Sequence, residues 1–155
     1  VNQPLVSVTG IGRIAKDKLV TTKGLKPGQD LVVTKWVGLE GTSIIATEFE
    51  KELKKRLPVS IVDESQKFAS LLSVVKDSRV AMQVGVSAMH DVTEGGSMLI
   101  GTDHGSQLVD ALAKEGIHAS VIGKAVEGND RVIFNDGEKR FLEPPKADEL
   151  YRAFD

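Results

Sequence analysis

The stretch Leu31-Val32-Val33-Thr34-Lys35-Trp36, followed by Gly38-Leu39-Glu40-Gly41-Thr42 and a helical run from Ser43, decides the fold class. Three successive β-branched residues behind a leucine make it the clearest strand in the chain. The glycine-flanked loop then leads into a helix over Ser43 to about Leu57, with Thr42 or Ser43 placed to cap its first turn. In that helix Ile45, Phe49, Leu53 and Leu57 recur every fourth residue and should face the core. Glu48 to Arg56 supply the wet side, with Glu50/Lys54 and Glu52/Arg56 as exposed pairs.

Towards the N-terminus, Leu5 to Ile14 alternates branched and small residues around Gly10 and Gly12, which predicts a strand with a bend or bulge. A short second strand is expected over Leu19 to Thr22, and Gly24 to Asp30 reads as a turn-rich connection. Towards the C-terminus, Pro58 ends the long helix. Asp63 or Ser65 is placed to cap another, with Phe68, Leu71, Leu72 and Val75 as its buried stripe. A short helix follows over about Asp77 to Gln83, with Gly85 as its stop.

Beyond the next motif, described below, a strand is expected at Ser97 to Gly101 and a helix at about Gly105 to Glu115 ending on Gly116. Ile117 to Val126 reads as a strand, Arg131 to Phe134 as its hairpin partner, and Glu138 to Leu142 as a further extension of the sheet. Pro144-Pro145 precedes a C-terminal helix over Lys146 to Phe154. Strands and helices interleave with hairpins, so the expected class is α+β: a mixed, largely antiparallel sheet covered by helices.

Composition narrows the function. The chain has 155 residues, enough for a single domain over 1–155 with a real core. A net charge of −2 gives no electrostatic reason to expect a nucleic acid or an anionic membrane surface. The absence of cysteine excludes disulfides, thiolate zinc sites and a cysteine nucleophile. His90, His104 and His118 lack the spacing of a histidine-rich metal site. No apolar run is long enough to span a bilayer and the N-terminus lacks a signal-peptide layout, so a cytoplasmic protein is the default expectation.

Chemistry concentrates in Met89-His90-Asp91-Val92-Thr93-Glu94-Gly95-Gly96, directly after the apolar segment Val84 to Ala88. Glycines let backbone N–H groups approach an anion, while imidazole, carboxylate and hydroxyl can position a proton, a metal or a phosphate oxygen. Two readings of each residue stand side by side. His90 reads as a general base or phosphate donor, or as a brace for a turn. Asp91 and Glu94 read as magnesium ligands, or as caps for loop N–H groups. Gly38 to Thr42 reads as an anion-binding helix start or as a structural turn. His104 beside Asp103 reads as a helix-start pair, His118 as a residue on a strand face, and Trp36, the one tryptophan, as core or domain-interface packing.

With these residues in place, the chain resembles the C-terminal domain of the AIR synthase (PurM-like) superfamily, nearest its hydrogenase-maturation (HypE) branch. The likeness is carried by Val8-Thr9-Gly10-Ile11-Gly12, by Pro27-Gly28-Gln29-Asp30-Leu31-Val32-Val33 through Gly41, and above all by Met89 to Gly96, with weaker support from Gly123-Lys124-Ala125. The resemblance implies the substrate-side domain of an ATP-dependent phosphoryl-transfer enzyme that activates an amide, carbonyl or related oxygen. It implies His90, Asp91 and Glu94 as catalytic residues, and Thr93, Gly95, Gly96, Gly38, Glu40, Gly41 and Thr42 as substrate or phosphate contacts.

It further implies ATP and Mg2+ in the full-length protein, a small-molecule or phosphorylated substrate, an N-terminal ATP-binding domain outside this chain, and a homodimer of the whole. By this reading the chain is a fragment and inactive alone. Glu40 stands where many HypE-branch proteins place histidine, and the chain ends Arg152-Ala153-Phe154-Asp155 without that branch's terminal cysteine. Gly96 also runs straight into Ser97-Met98-Leu99-Ile100, where relatives insert a helix and further segments, so residues deleted or missing after Gly96 are expected. A stand-alone, catalytically inactive binding or interaction domain for a small phosphorylated ligand is the other reading.

Overall fold

A computed structural model describes residues 6–93 and 95–143. It is α+β. Four strands, β1 (Asp30–Thr34), β2 (Ala88–Val92), β3 (Ser97–Thr102) and β4 (Ala119–Lys124), form an antiparallel sheet in the order β2-β3-β1-β4. Among the described residues five α-helices accompany it: α1 (Leu39–Glu48), α2 (Glu50–Arg56), α3 (Val59–Lys67), α4 (Val75–Val84) and α5 (Gly105–Lys114).

The core lies between the sheet and α4 and α5. Val32 of β1 sits opposite Ile100 of β3, and antiparallel partners share a face, so these two fully buried side chains meet Met98 and Ala119 on one surface. Leu108 and Leu112 of α5, four residues apart on one helical face, and Val80 and Ala81 of α4 close over them. Each fully buried leucine contributes about 1.5–3 kcal/mol relative to an exposed one. At the rim of the sheet Thr34 is buried and its Oγ1 accepts from Met98 N–H at 3.0 Å, so a side chain continues the ladder where the backbone pairing stops.

Gln29 is 3% exposed and ties the start of β1 to two distant segments. Its Oε1 accepts from Lys26 N–H at 2.9 Å and Ser87 Oγ at 2.6 Å, and its Nε2 donates to Asp103 Oδ2 at 3.0 Å. Beside it, Asp30 and Lys124 face each other across β1 and β4 at 2.6 Å. That hydrogen bond holds the Asp30 carboxyl below the usual carboxylate range, against an opposing push from desolvation. A group with a lowered folded pKa stabilises above its unfolded pKa, and the contribution is lost as pH falls through the folded value, here below about pH 4. Lys124→Met is therefore expected to move the acid unfolding midpoint to higher pH, measured by circular dichroism between pH 2 and 7.

Several expected elements take other forms. The segment 6–15 is not a strand: Val6, Val8 and Ile11 are 79%, 88% and 95% exposed. Alternation suits a strand only when a ladder partner exists, and neither edge strand of the sheet pairs with this segment. The strand expected at Leu19 to Thr22 is replaced by 3₁₀ turns at Lys16–Lys18 and Thr22–Gly24. The second turn packs against β2, and Leu25 follows it over Gly101, where an added Cβ would lie 2.4 Å from Leu25 Cδ1.

The long helix begins at Leu39 rather than Ser43 and breaks at Phe49, whose φ of −106° and ψ of 23° leave the helical region. A stripe repeating every fourth residue drifts about 40° per step around a 3.6-residue helix, so a straight rod could not keep all four side chains on one surface. After the break Ile45, Leu53 and Leu57 line an apolar pocket of about 200 Å³ with Ile61 and Val62. Neither Thr42 nor Ser43 caps α1, because Gly38 holds the N-cap position in the left-handed region.

Asp63 is not a cap either. It pairs with Lys54 at 2.8 Å and, with Glu50 at 2.6 Å, joins α2 to α3. Asp63 first, then Glu50, holds the Lys54 ammonium above the ordinary lysine range. Glu52 pairs with Lys55 at 2.7 Å rather than with Arg56. The stripe Phe68, Leu71, Leu72 and Val75 is split between a 3₁₀ turn (Phe68–Leu71), a short loop and the first residue of α4, with Leu71 40% and Val75 53% exposed. The reason lies far along the chain, since the carbonyls of Leu71 and Ser73 turn to receive the Lys35 ammonium, each at 2.9 Å.

Arg131 to Phe134 does not pair with β4. Strands β5 (Val132–Asn135) and β6 (Glu138–Phe141) pair with each other as a separate hairpin. Their two-residue turn, Asp136-Gly137, has positive φ at both positions (50° and 83°), the geometry that matches strand twist and that Asp-Gly favours. The helix expected over 146–154 lies outside the described residues.

Candidate functional site

The His90 motif occupies the end of β2 and the loop into β3. Val92 pairs with Ser97, which leaves a four-residue connection, 93–96, between the strands. Gly95 is buried, and its N–H donates to the Val92 carbonyl at 2.9 Å. Gly96 adopts φ +62°, and a Cβ there would lie 2.8 Å from Leu72 Cδ2 and 3.0 Å from Leu72 Cα. Both glycines are therefore required by the turn itself: one by crowding against Val92, the other by its left-handed backbone and its closeness to Leu72.

The second glycine-flanked loop meets this turn. The first amide of α1, Leu39 N–H, donates to the Gly95 carbonyl at 3.1 Å. A helix start has first-turn amides without intrahelical acceptors. Here a carbonyl from another loop takes one of them, which explains why no side-chain cap is found on α1. Thr42 N–H closes the first turn onto the Gly38 carbonyl at 2.9 Å. The amides of Glu40 and Gly41 lie between them with no carbonyl four residues back inside the helix.

The remaining candidates spread out. His90 lies on edge strand β2 with 57% of its side chain exposed, beside Asp91 at 76%. Its Nδ1 contacts the Asp91 carbonyl and lies 3.7 Å from Asp91 Oδ1. Thr93 is exposed, and Glu94 lies outside the described residues. Thr42 lines the apolar pocket beside Ile45 and Leu53. Among the described residues no hydrogen bond or ion pair joins His90 or Asp91 to Glu40 or Thr42. The two loops thus meet through their backbones, and the titratable side chains stand at the edge of that junction.

Of the two carboxylates read as magnesium ligands, Asp91 is described and Glu94 lies outside the described residues. Among the described residues no group of three or more His, Cys, Asp or Glu is placed to hold a metal ion, and His90 with Asp91 is only a pair.

A second polar cluster was not anticipated from the sequence. Lys35 has φ +54° and a side chain only 9% exposed, and its Nζ lies 3.3 Å from Asp77 Oδ1, on a residue 2% exposed. The interaction is one of charge, because Oδ1 accepts no hydrogen bond. Above it Trp36 stacks on His118 with ring centroids 5.3 Å apart and planes 9° from parallel. Trp36 is thus a surface ring, 54% exposed, rather than core. His118 lies just before β4, and its carbonyl accepts from Lys35 N–H at 2.7 Å. His104 sits at the N-cap of α5 without a side-chain cap bond, while Asp103 serves Gln29. The one sequence signal for this cluster was a lysine-tryptophan pair directly after a strand.

Compared with known proteins, the chain matches no protein-family model, no curated protein and no solved structure. No helix among the described residues is long and apolar enough to cross a membrane.

Proposed function

We propose that this chain is the substrate-side domain of an AIR-synthase-like, ATP-dependent phosphoryl-transfer enzyme that activates an amide, carbonyl or related oxygen. The observation that supports this reading is the hydrogen bond from Leu39 N–H to the Gly95 carbonyl, which joins the two glycine-flanked loops carrying the resemblance. Beside that junction, the amides of Glu40 and Gly41 at a helix start favour a negatively charged oxygen. His90, at the exposed edge, is available to give or take a proton from a substrate held there. Gly95 acts as a backbone brace, since its N–H is already bonded to Val92.

ATP and Mg2+ belong, in the same proposal, to a separate N-terminal domain, and a homodimer and a cytoplasmic setting come with it. The test is acceptor-dependent ADP release by the polypeptide of the complete reading frame, offered amides, carbamoyl compounds and phosphate acceptors. His90→Ala is expected to lower kcat/KM about 100-fold or more, with unchanged far-ultraviolet circular dichroism because the ring is exposed. Parent-like kinetics in His90→Ala and Asp91→Ala would remove both residues from the chemistry. Absence of turnover with every acceptor would favour an inactive binding domain instead.

A further inference from the structure

One pocket plays no part in that reading. It is a half-open depression of about 240 Å³, with Lys35, Trp36, Ser73, Asp77, Ile117 and His118 among its walls. Sites for drug-sized ligands hold about 300–1,000 Å³, so this one suits a single ring system better than a nucleotide. One wall is the Trp36–His118 stack, and an indole held flat by a second ring presents a rigid face to a further π system.

Asp77 is one of the lining residues, and its buried Oδ1 has no hydrogen-bond donor. Lys35 balances its charge from 3.3 Å but gives its hydrogen bonds to the Leu71 and Ser73 carbonyls. A buried acceptor left without a donor is costly, and because its charge is already balanced, a neutral N–H suits it better than a second cation. The remaining lysine of the rim, Lys76, is held by the Glu115 carboxylate at 2.9 Å and the Glu115 carbonyl at 2.7 Å, so no cation stands ready for a phosphate. We propose that this pocket binds a neutral planar nitrogen heterocycle of the nucleobase type, stacked on the Trp36–His118 pair with an N–H edge on Asp77. Recognition is by ring and donor edge, independently of the hairpin turn.

Trp36 is the only tryptophan, so its emission reports on the pocket directly. Adenine and guanosine, titrated into the intact chain, are expected to quench that emission saturably. Caffeine, a fused ring system with no N–H, is expected to bind at least about tenfold more weakly. His118→Ala removes an exposed side chain and is expected to weaken adenine binding about fivefold or more by calorimetry. Asp77→Leu is expected to erase the preference over caffeine. If that variant does not fold, the parent comparison of adenine with caffeine and the His118→Ala titration decide the matter. Failure of adenine and guanosine to quench, equal affinity for caffeine, or parent-like binding by His118→Ala would overturn the proposal.

Discussion

Asp77→Ala is expected to destabilise the protein by about 3–5 kcal/mol, read as a fall in the urea midpoint with unchanged slope. The substitution leaves the Lys35 ammonium, 9% exposed, without the carboxylate 3.3 Å away. An unpaired charge away from water costs far more than the pair itself contributes. Two carbonyl acceptors, from Leu71 and Ser73, remain on that ammonium and keep the loss within this range. The double variant Lys35→Met/Asp77→Ala removes both charges while keeping the same truncation at 77, and is expected to recover much of the stability. The recovery separates desolvation of a lone charge from lost packing, because packing loss would persist in both proteins. A double variant as unstable as Asp77→Ala would show that shape at this position matters more than charge.

Gly96→Ala is expected to cost about 2–5 kcal/mol. Roughly 1–2 kcal/mol comes from placing a Cβ on a left-handed backbone, and about 1–3 kcal/mol from crowding against Leu72. The crowding is hard to relieve, because one of the two close atoms is Leu72 Cα, at 3.0 Å from the added methyl position, and backbone moves less readily than a side-chain tip. Gly28→Ala is a useful control: it also has positive φ, 89°, but nothing lies within 4 Å of its added Cβ. Urea unfolding of the two variants therefore separates strain from crowding, with Gly96→Ala the more damaging.

The parts of the fold legible from sequence are those fixed within a few residues. β1 was readable from its β-branched run, β3 from the apolar run Met98-Leu99-Ile100, and α4 and α5 from helical spacing ahead of glycine stops at Gly85 and Gly116. The Asp136-Gly137 turn was readable because its backbone demand is met by those two residue types. What failed depended on partners far along the chain. The alternation in Leu5 to Ile14 carries no information about whether a sheet edge will accept it. The start of α1 at Leu39 depends on a carbonyl at Gly95, and the bend after Phe68 depends on Lys35.

The candidate site divides the same way. The glycine pair and His90 were visible as a motif, and the meeting of the Gly38 and Gly95 loops followed only from the sheet order. The Gln29 hub, with partners 58 and 74 residues away, and the Lys35–Asp77 pair left no local pattern to find. A buried charge and an exposed one look alike in sequence. Asp77 in particular sits in the first turn of a helix, where an acidic residue is also welcome at the surface.

The same four-residue connection also bears on how the chain assembles. β1 finds β3 only after four helices have been laid down and β4 only after five, whereas β2 and β3 are neighbours in sequence. Loop-closure entropy makes the 93–96 turn the least demanding place to begin the sheet, and every later pairing closes a longer loop. Residues there answer to the speed of folding as well as to any ligand. A glycine pair chosen by the first demand remains in place for the second.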